Sequence, residues 1–191
     1  MRTLILGAGG FGVAVREALQ LSLGASHCEV HFLDDAYPSK PAFPKIDIVG
    51  KFADLQKIGR SYDNALVALG RNDVRRAQIE AIKRLGMSLA TVIHPSAIVS
   101  SLAQVDGGSI IMGASVISAG CRIGQGVIIN AGTILDHDVV AEDYTHLSIG
   151  CRIASGVHIG RSSTLYAGCV AGYGVSIEKN SVAAAGYVFR V

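Results

Sequence analysis

The sequence predicts an α/β N-terminal domain over residues 1–92, followed by a parallel β-helix over residues 93–191. Two observations predict it. In the first half, short apolar runs alternate with helix-like stretches, and such alternation builds a parallel sheet with helices packed on it. From residue 99 the pattern changes to a strict repeat of six, the signature of stacked short strands. All four prolines (Pro38, Pro41, Pro44 and Pro95) lie in the first half, and none interrupts the repeat.

The elements follow in order. "TLIL" (3–6) reads as a strand, "GAGGFG" (7–12) as a tight turn, and the residues to about Leu23 as a helix. "EVHFLDD" (29–35) reads as a second strand and "YPSKPAFPK" (37–45) as a loop. "FADLQKIG" (52–59) is a short helix that Gly59 ends. "ALVALG" (65–70) is a strand, and Asn72 caps a helix over about 74–85 with Gly86 past its end. "LATVI" (89–93) is the last strand of this half.

Every sixth residue from Val99 to Ala183 is apolar, fifteen in all. In a chain that is half apolar, that run arises by chance roughly once in 30,000. The position four further on, from Ala103 through Ser109, Ser115 and Cys121 to Ser181, is always small. Each hexad thus makes one short strand and one turn, and three hexads make an 18-residue triangular coil. Large residues fill the interior and small ones fit where the chain bends. Coils stack at about 4.8 Å, giving roughly five coils without a register break between 99 and 183.

Composition bounds the function. The 191 residues are 50% hydrophobic and 17% charged, with mean hydropathy +0.41, so a packed core is expected rather than disorder. The net charge of +2 comes without a basic stripe, which sets nucleic-acid binding aside. The start "MRTLILGAGG" does not read as a signal peptide, and no apolar run is long enough to span a membrane. Cys28, Cys121, Cys151 and Cys169 lack CxxC spacing and read as reduced thiols of a cytoplasmic protein. The last three occupy the small slot of the repeat, where a buried thiol is expected.

Two motifs carry chemistry. Gly7, Gly9 and Gly12 form GxGxxG between a strand and a helix, with Asp34 22 residues beyond Gly12. This is a dinucleotide fingerprint, but its physics is broader, because backbone N–H groups at a helix N-terminus bind any phosphate. A nicotinamide-dependent dehydrogenase fits the motif but not the architecture, since a solenoid offers no hydride-transfer domain. The second motif is "ILDHDVVAEDYTH" (134–146), with His137 between Asp136 and Asp138, and His146 nine residues on. A histidine beside a carboxylate suits general-base work. Periodicity alone does not separate Asp136 from Asp138 as its partner. Counting 18 from His137 gives Ser155, one coil along, whose backbone N–H is the candidate oxyanion donor.

A hexapeptide solenoid behind a Gly-rich α/β domain resembles the left-handed β-helix sugar acyltransferases. More narrowly, the chain resembles nucleotide-sugar N-acetyltransferases of the bacillosamine and perosamine type, and their sialic-acid O-acetyltransferase relatives. The residues that carry the likeness are "LILGAGGFG" (4–12), "FLDD" (32–35), "ALGRNDVRR" (68–76), "IHPSAIVS" (93–100) and "INAGTILDHDVVAEDYTHLSIG" (129–150). The resemblance implies a Rossmann-like domain that holds a nucleotide sugar, a left-handed solenoid, and a homotrimer with acetyl-coenzyme A between neighbouring subunits. It makes His137 the general base and Asp138 its orienting acid, and assigns His146, Ser155, Gly156, Gly172 and Tyr173 to the acetyl-coenzyme A groove. Gly7, Gly9, Gly10, Asp34 and Asp35 would hold the nucleotide sugar, with Arg71 and Asn72 assisting. The chain departs from the family at Ser155, commonly glycine, and at "YVFRV" (187–191), which does not match the usual Gly-x-Pro-Ala segment.

The implied activity is acetyl transfer from acetyl-coenzyme A to the amine of a nucleotide-linked amino sugar, with no metal. O-acetylation of a sialic-acid-like sugar is the alternative. Zinc-dependent carbon dioxide hydration, on His137, His146 and His158, is more distant, because separations of nine and twelve converge poorly within one coil. A non-enzymatic scaffold is the bland reading. His94 and His158 are expected to be structural and surface residues.

Overall fold

The computed structural model describes residues 1–38 and 46–190, so most of the 37–45 loop lies outside the described residues. The chain divides into two units, Met1–Val92 and Ile93–Val191. The first is an α/β unit and the second a left-handed parallel β-helix.

In the first unit, strand β1 (Arg2–Leu6) is buried in all but Arg2. An uninterrupted apolar run covered on both faces is what a central parallel strand requires. It pairs with β2 (Glu29–Leu33) on one side and β4 (Asn64–Val67) on the other. With β3 (Ile48–Gly50) and β5 (Ser88–Leu89) the order is β3-β2-β1-β4-β5, all parallel. The order reverses between β1 and β4, so the loops after these strands flank a topological switch point, where ligands of open α/β sheets bind. Helix α1 (Gly10–Leu23) follows β1, and α3 (Asn72–Arg84) follows β4.

Several local expectations shift. Strand β3 was not expected. The second strand stops at Leu33, and Asp34 and Asp35 leave it. The 65–70 strand stops at Val67, which frees 68–71 to form the loop at the switch point. Helix α2 (Leu55–Ile58) ends with Gly59 as its C-cap, but at φ −54° rather than left-handed, and Gly59 opens a 3₁₀ turn. A Cβ there would stand 2.7 Å from the Met87 sulfur, so the end of that side chain would have to shift. Helix α3 starts at Asn72 with Arg71 as N-cap. Gly86, at φ +70°, closes it as expected. "LATVI" is two strands rather than one: Ser88–Leu89 ends the α/β sheet and Val92–Ile93 begins the solenoid.

Seventeen two-residue strands, from Val92–Ile93 to Val188–Phe189, follow at intervals of six. Partners lie 18 residues apart, as where Val116 pairs with Ile98 and Ile134. Three flat sheets of six, five and six strands result. The large slot points inward, and Ile111, Ile117, Leu135, Leu147, Ile153 and Leu165 are all buried. Each such side chain contributes about 1.5–3 kcal/mol of burial.

The small slot has a second property. Its hydroxyl or thiol donates to a carbonyl 15 residues on: Ser109 to Gly124 O (2.7 Å), Thr133 to Ser148 O (2.8 Å), Cys121 to Asp136 O (3.0 Å). Serine, threonine and cysteine recur there because they fit and also satisfy the next coil's corner carbonyl. The buried cysteines are free, and burial pushes the Cys151 thiol up to about 11.

The corners also follow a rule. Between Gly108 and Gly186 the second residue of every turn has φ between 57° and 77°. This is the third position of a type II turn, where glycine is favoured. Nine of the fourteen are glycine; Ala114, Asp138, Tyr144, Ser162 and Asn180 are not, at a cost of about 1 kcal/mol each. Among the described residues no helix is long and apolar enough to cross a membrane.

Candidate active site

Strand Ile134–Leu135 is followed by a corner, and the next strand is Val140–Ala141. Asp136, His137 and Asp138 make that corner. Because the three residues turn rather than extend, strand alternation does not govern where they point. Asp138 takes the left-handed position, φ +60°, and its N–H donates to Ala119 O of the coil below at 3.0 Å. Its carboxylate Oδ2 lies 2.8 Å from His137 Nδ1. Asp136 Oδ1 accepts the backbone N–H of His137 at 2.8 Å. The two aspartates therefore divide the work: Asp136 fixes the main chain and Asp138 holds the ring.

The electrostatics follow from that contact. The hydrogen bond to Asp138 raises the His137 pKa above 6.5, loss of solvation opposes it, and the charges of Asp136 and Asp138 add to the rise. The pair is open to solvent, 58% and 68% exposed. A carboxylate on Nδ1 places the ring proton there and leaves Nε2 as the free base.

Ser155 is stacked on His137, and the ladder shows it: Gly156 N–H donates to His137 O at 3.1 Å. Ala154 N–H donates upward to Ala171 O at 3.0 Å. The Ser155 N–H stands between these two and has no partner among the described residues. At some other corners the same N–H finds a side chain, as Ala131 does on Asn130 Oδ1 (2.8 Å) and Gln125 on Asp143 Oδ1 (3.0 Å), while at Ala119, Ile149 and Tyr173, as at Ser155, it finds none among the described residues. Ala154 offers Ser155 no such acceptor. Gly172 and Tyr173 occupy the corner one coil further, and Tyr173 is exposed. One edge of the solenoid thus carries His137, Ser155, Gly156, Gly172 and Tyr173 in a column.

His146 is not on that edge. It faces outward from strand His146–Leu147, in register with Ile128 and Thr164, on the sheet opposite the His137 corner in the triangular coil. His158 lies on the third sheet with Nε2 3.0 Å from Glu142 Oε1. His94 Nδ1 accepts the Ser96 N–H at 3.0 Å and meets its hydroxyl at 2.8 Å, bracing the first coil. Among the described residues no group of three or more metal-ligating side chains converges.

In the first unit the glycines separate by what a side chain would meet. A Cβ on Gly7 would press on Ala68 O at 2.8 Å, and one on Gly12 would collide with Gly7 O. Those two are demanded by packing. Gly9 has open space around it and caps α1 without a side-chain bond. Its bareness, with Gly10 at the first helical position, leaves the helix N-terminus accessible to an anion.

Asp34 Oδ2 accepts the Ala8 N–H at 2.7 Å and Oδ1 accepts that of Ala36 at 2.9 Å. It ties the glycine loop to the end of β2. Asp35 Oδ1 accepts the Phe52 N–H at 3.0 Å. Arg71 forms a bidentate, exposed pair with Asp73, the shorter contact being 2.6 Å. Asn72 does not cap the helix: its Oδ1 accepts from Arg75 Nη2 at 2.7 Å.

Arg75 is the residue that sequence reasoning missed. It is fully buried, donates to Leu69 O (2.9 Å) and Gly70 O (3.1 Å), and burial lowers its pKa to about 10. It staples the loop after β4 from beneath. The signal was legible: Arg75 shares the buried stripe of α3 with Ile79 and Ile82, where an arginine needs a structural reason.

Residues 2–82 match the family model of the PglD N-terminal domain. Over its full length the chain is similar to a histidine-to-asparagine mutant of perosamine N-acetyltransferase from Caulobacter crescentus, in complex with CoA and GDP-perosamine. The two are 29% identical, covering 100% of this chain and 89% of that one, with a TM-score of 0.92. It is also similar to the acetyltransferase domain of PglB from Neisseria gonorrhoeae FA1090, in complex with acetyl coenzyme A. There the identity is 28%, covering 98% and 92%, with a TM-score of 0.88. WeeI from Acinetobacter baumannii AYE, at 18% identity and TM-score 0.71 over 100% and 95%, shares the fold.

Proposed function

We infer that this chain, a hexapeptide-repeat acetyltransferase of the bacillosamine and perosamine type, moves an acetyl group from acetyl-coenzyme A to the amine of a nucleotide-linked amino sugar. One observation carries the reading: the full-length likeness, at 29% identity, to a perosamine N-acetyltransferase that holds CoA and GDP-perosamine.

The residues fit the chemistry. The neutral sugar amine attacks the thioester carbonyl, forming the C–N bond. His137 Nε2 takes the amine proton as that bond forms, and Asp138 on Nδ1 stabilises the imidazolium. The unengaged Ser155 N–H donates to the oxyanion. Collapse breaks the C–S bond, and the proton on His137 passes to the departing thiolate. Gly156, Gly172 and Tyr173 continue the edge along which the co-substrate would lie. In the α/β unit the bare N-terminus of α1 at Gly9 and Gly10 would take the diphosphate. Arg71 can swing from its exposed pair with Asp73 to assist.

His146 and the His137 corner lie on opposite sides of one coil. A site that uses both needs a second copy of the chain, and the homotrimer implied by the family supplies it. The reading includes a cytoplasmic location, in keeping with buried cysteines that are all free thiols.

The test is thiol release from acetyl-coenzyme A against UDP-, dTDP-, GDP- and CMP-linked amino sugars, with mass analysis of products. A gain of one acetyl group on the amine of one donor class is expected. No thiol release with any of them, together with no binding of acetyl-coenzyme A by calorimetry, would overturn the reading.

A further inference from the structure

We propose that Gly120 is a positioning residue for the acetyl transfer, because its missing side chain leaves the socket in which the Asp138 carboxylate lies while it holds His137. The inference rests on the function proposed above and goes one coil beyond it.

Gly120 occupies the left-handed corner position, φ +74°, directly beneath Asp138. A Cβ built there would collide with Asp138 Oδ1. Other glycines of the same corner position differ. At Gly132, Gly150, Gly156, Gly168, Gly174 and Gly186 a Cβ would stand in open space. Nor does the backbone alone demand glycine, since Ala114 adopts the same position at φ 57°. Side chains can also stack there, because Ser162 sits over Tyr144 and Asn180 over Ser162 in successive coils, all three at φ near 60°. What is particular to Gly120 is the carboxylate folded down onto it.

The geometry leaves Asp138 little choice. Its N–H is locked to Ala119 O, so its backbone cannot rise away from the lower coil. With Oδ2 on His137 Nδ1 at 2.8 Å, the other oxygen is directed over Gly120. A methyl group at 120 therefore moves the carboxylate and breaks the contact with the ring. Gly120 touches neither the imidazole nor any reacting atom; it acts through Asp138.

The experiment compares Gly120→Ala with Gly132→Ala, which bears the same backbone strain in open space. Asp138→Ala and the double variant Gly120→Ala with Asp138→Ala complete the cycle. Each is assayed for turnover and for the His137 titration by NMR on the free protein. Gly120→Ala should lower kcat by about 10-fold or more and return the His137 titration to the ordinary histidine range. Gly132→Ala should leave both within about twofold. In the Asp138→Ala background, adding Gly120→Ala should change nothing further.

Wild-type titration and turnover in Gly120→Ala would overturn the proposal, as would an equal loss in both backgrounds. If Gly120→Ala fails to fold while the double variant folds, the collision with the carboxylate is upheld; if both fail, it is refuted. The titration needs no substrate, so it tests Gly120 even if the assay shows the wild type inactive on amino sugars.

Discussion

Replacing Ser155 by proline puts a ring Cδ where the backbone N–H hydrogen stood in the candidate active site, and removes the hydroxyl with it. Ser155 is the first residue of its corner and Gly156 the second, with φ +67°. In a type II turn that first position is where proline's fixed φ is favoured. A proline already opens one corner of the repeat, Pro95 in the first coil, although on another edge and without a left-handed residue after it. Residue 154, which precedes the substituted position, follows strand Arg152–Ile153 and continues its ladder to Ala171 O, in keeping with the extended backbone that suits a residue before proline. No ladder bond is lost, because the bonds around this corner run from Gly156 to His137 O and from Ala154 to Ala171 O. The fold should hold or gain about 0.4–1 kcal/mol through a stiffer unfolded chain.

Activity should behave differently. Loss of one preorganised oxyanion donor costs about 100- to 1,000-fold in kcat, with the KM for acetyl-coenzyme A changed by less than about threefold. Ser155→Ala keeps the N–H and loses only the hydroxyl, so it should stay within about threefold of wild type. Thermal unfolding confirms that Ser155→Pro is folded, and steady-state thiol release reads both variants. A proline variant with wild-type kcat would refute the backbone donor. Equal damage from alanine would move the role to the hydroxyl.

His137→Ala should lower kcat by about 100-fold or more while calorimetry still detects acetyl-coenzyme A. The base works when neutral and its pKa is raised, so the acid limb of kcat/KM should lie above pH 6.5. In Asp138→Ala that limb should move to lower pH as the maximum falls, and an unmoved limb would remove Asp138 from the mechanism. Asp34→Ala frees the Ala8 and Ala36 N–H groups and loosens the glycine loop. It should raise the KM for the nucleotide sugar about 10-fold and leave that for acetyl-coenzyme A unchanged. Leu165→Ala opens a void between Leu147 and Ala183, its neighbours in register. It should cost about 2–5 kcal/mol in denaturant unfolding.

The solenoid was legible because a period of six repeated over most of the second half leaves few alternatives for the backbone. The hydrogen-bonding part of the small slot was less so. Serine, threonine and cysteine look merely small until the carbonyl 15 residues on is seen to need a donor. The partner of His137, which the resemblance made Asp138, was not legible from periodicity for a specific reason. Side-chain direction at 136–138 is set by a turn with a left-handed third residue, not by alternation along a strand. Asn72 misled in the same way: a good capping residue spends its oxygen on Arg75 instead. "LATVI" read as one strand because apolar character persists across 89–93 while the backbone changes sheets between Leu89 and Val92.

The stacking of coils has a consequence for how such a chain can change length. The core accepts insertions in whole hexads, since six residues add one strand and one corner and fill every interior slot. The chemistry does not. A hexad inserted between His137 and Ser155 would carry everything after it a third of a revolution around the prism. The donor N–H would then lie over another edge, above a different residue. Only a full coil of eighteen restores the phase, and it lifts the donor by about 4.8 Å, beyond reach of one carbonyl. The distance between base and donor is therefore fixed by counting along the main chain.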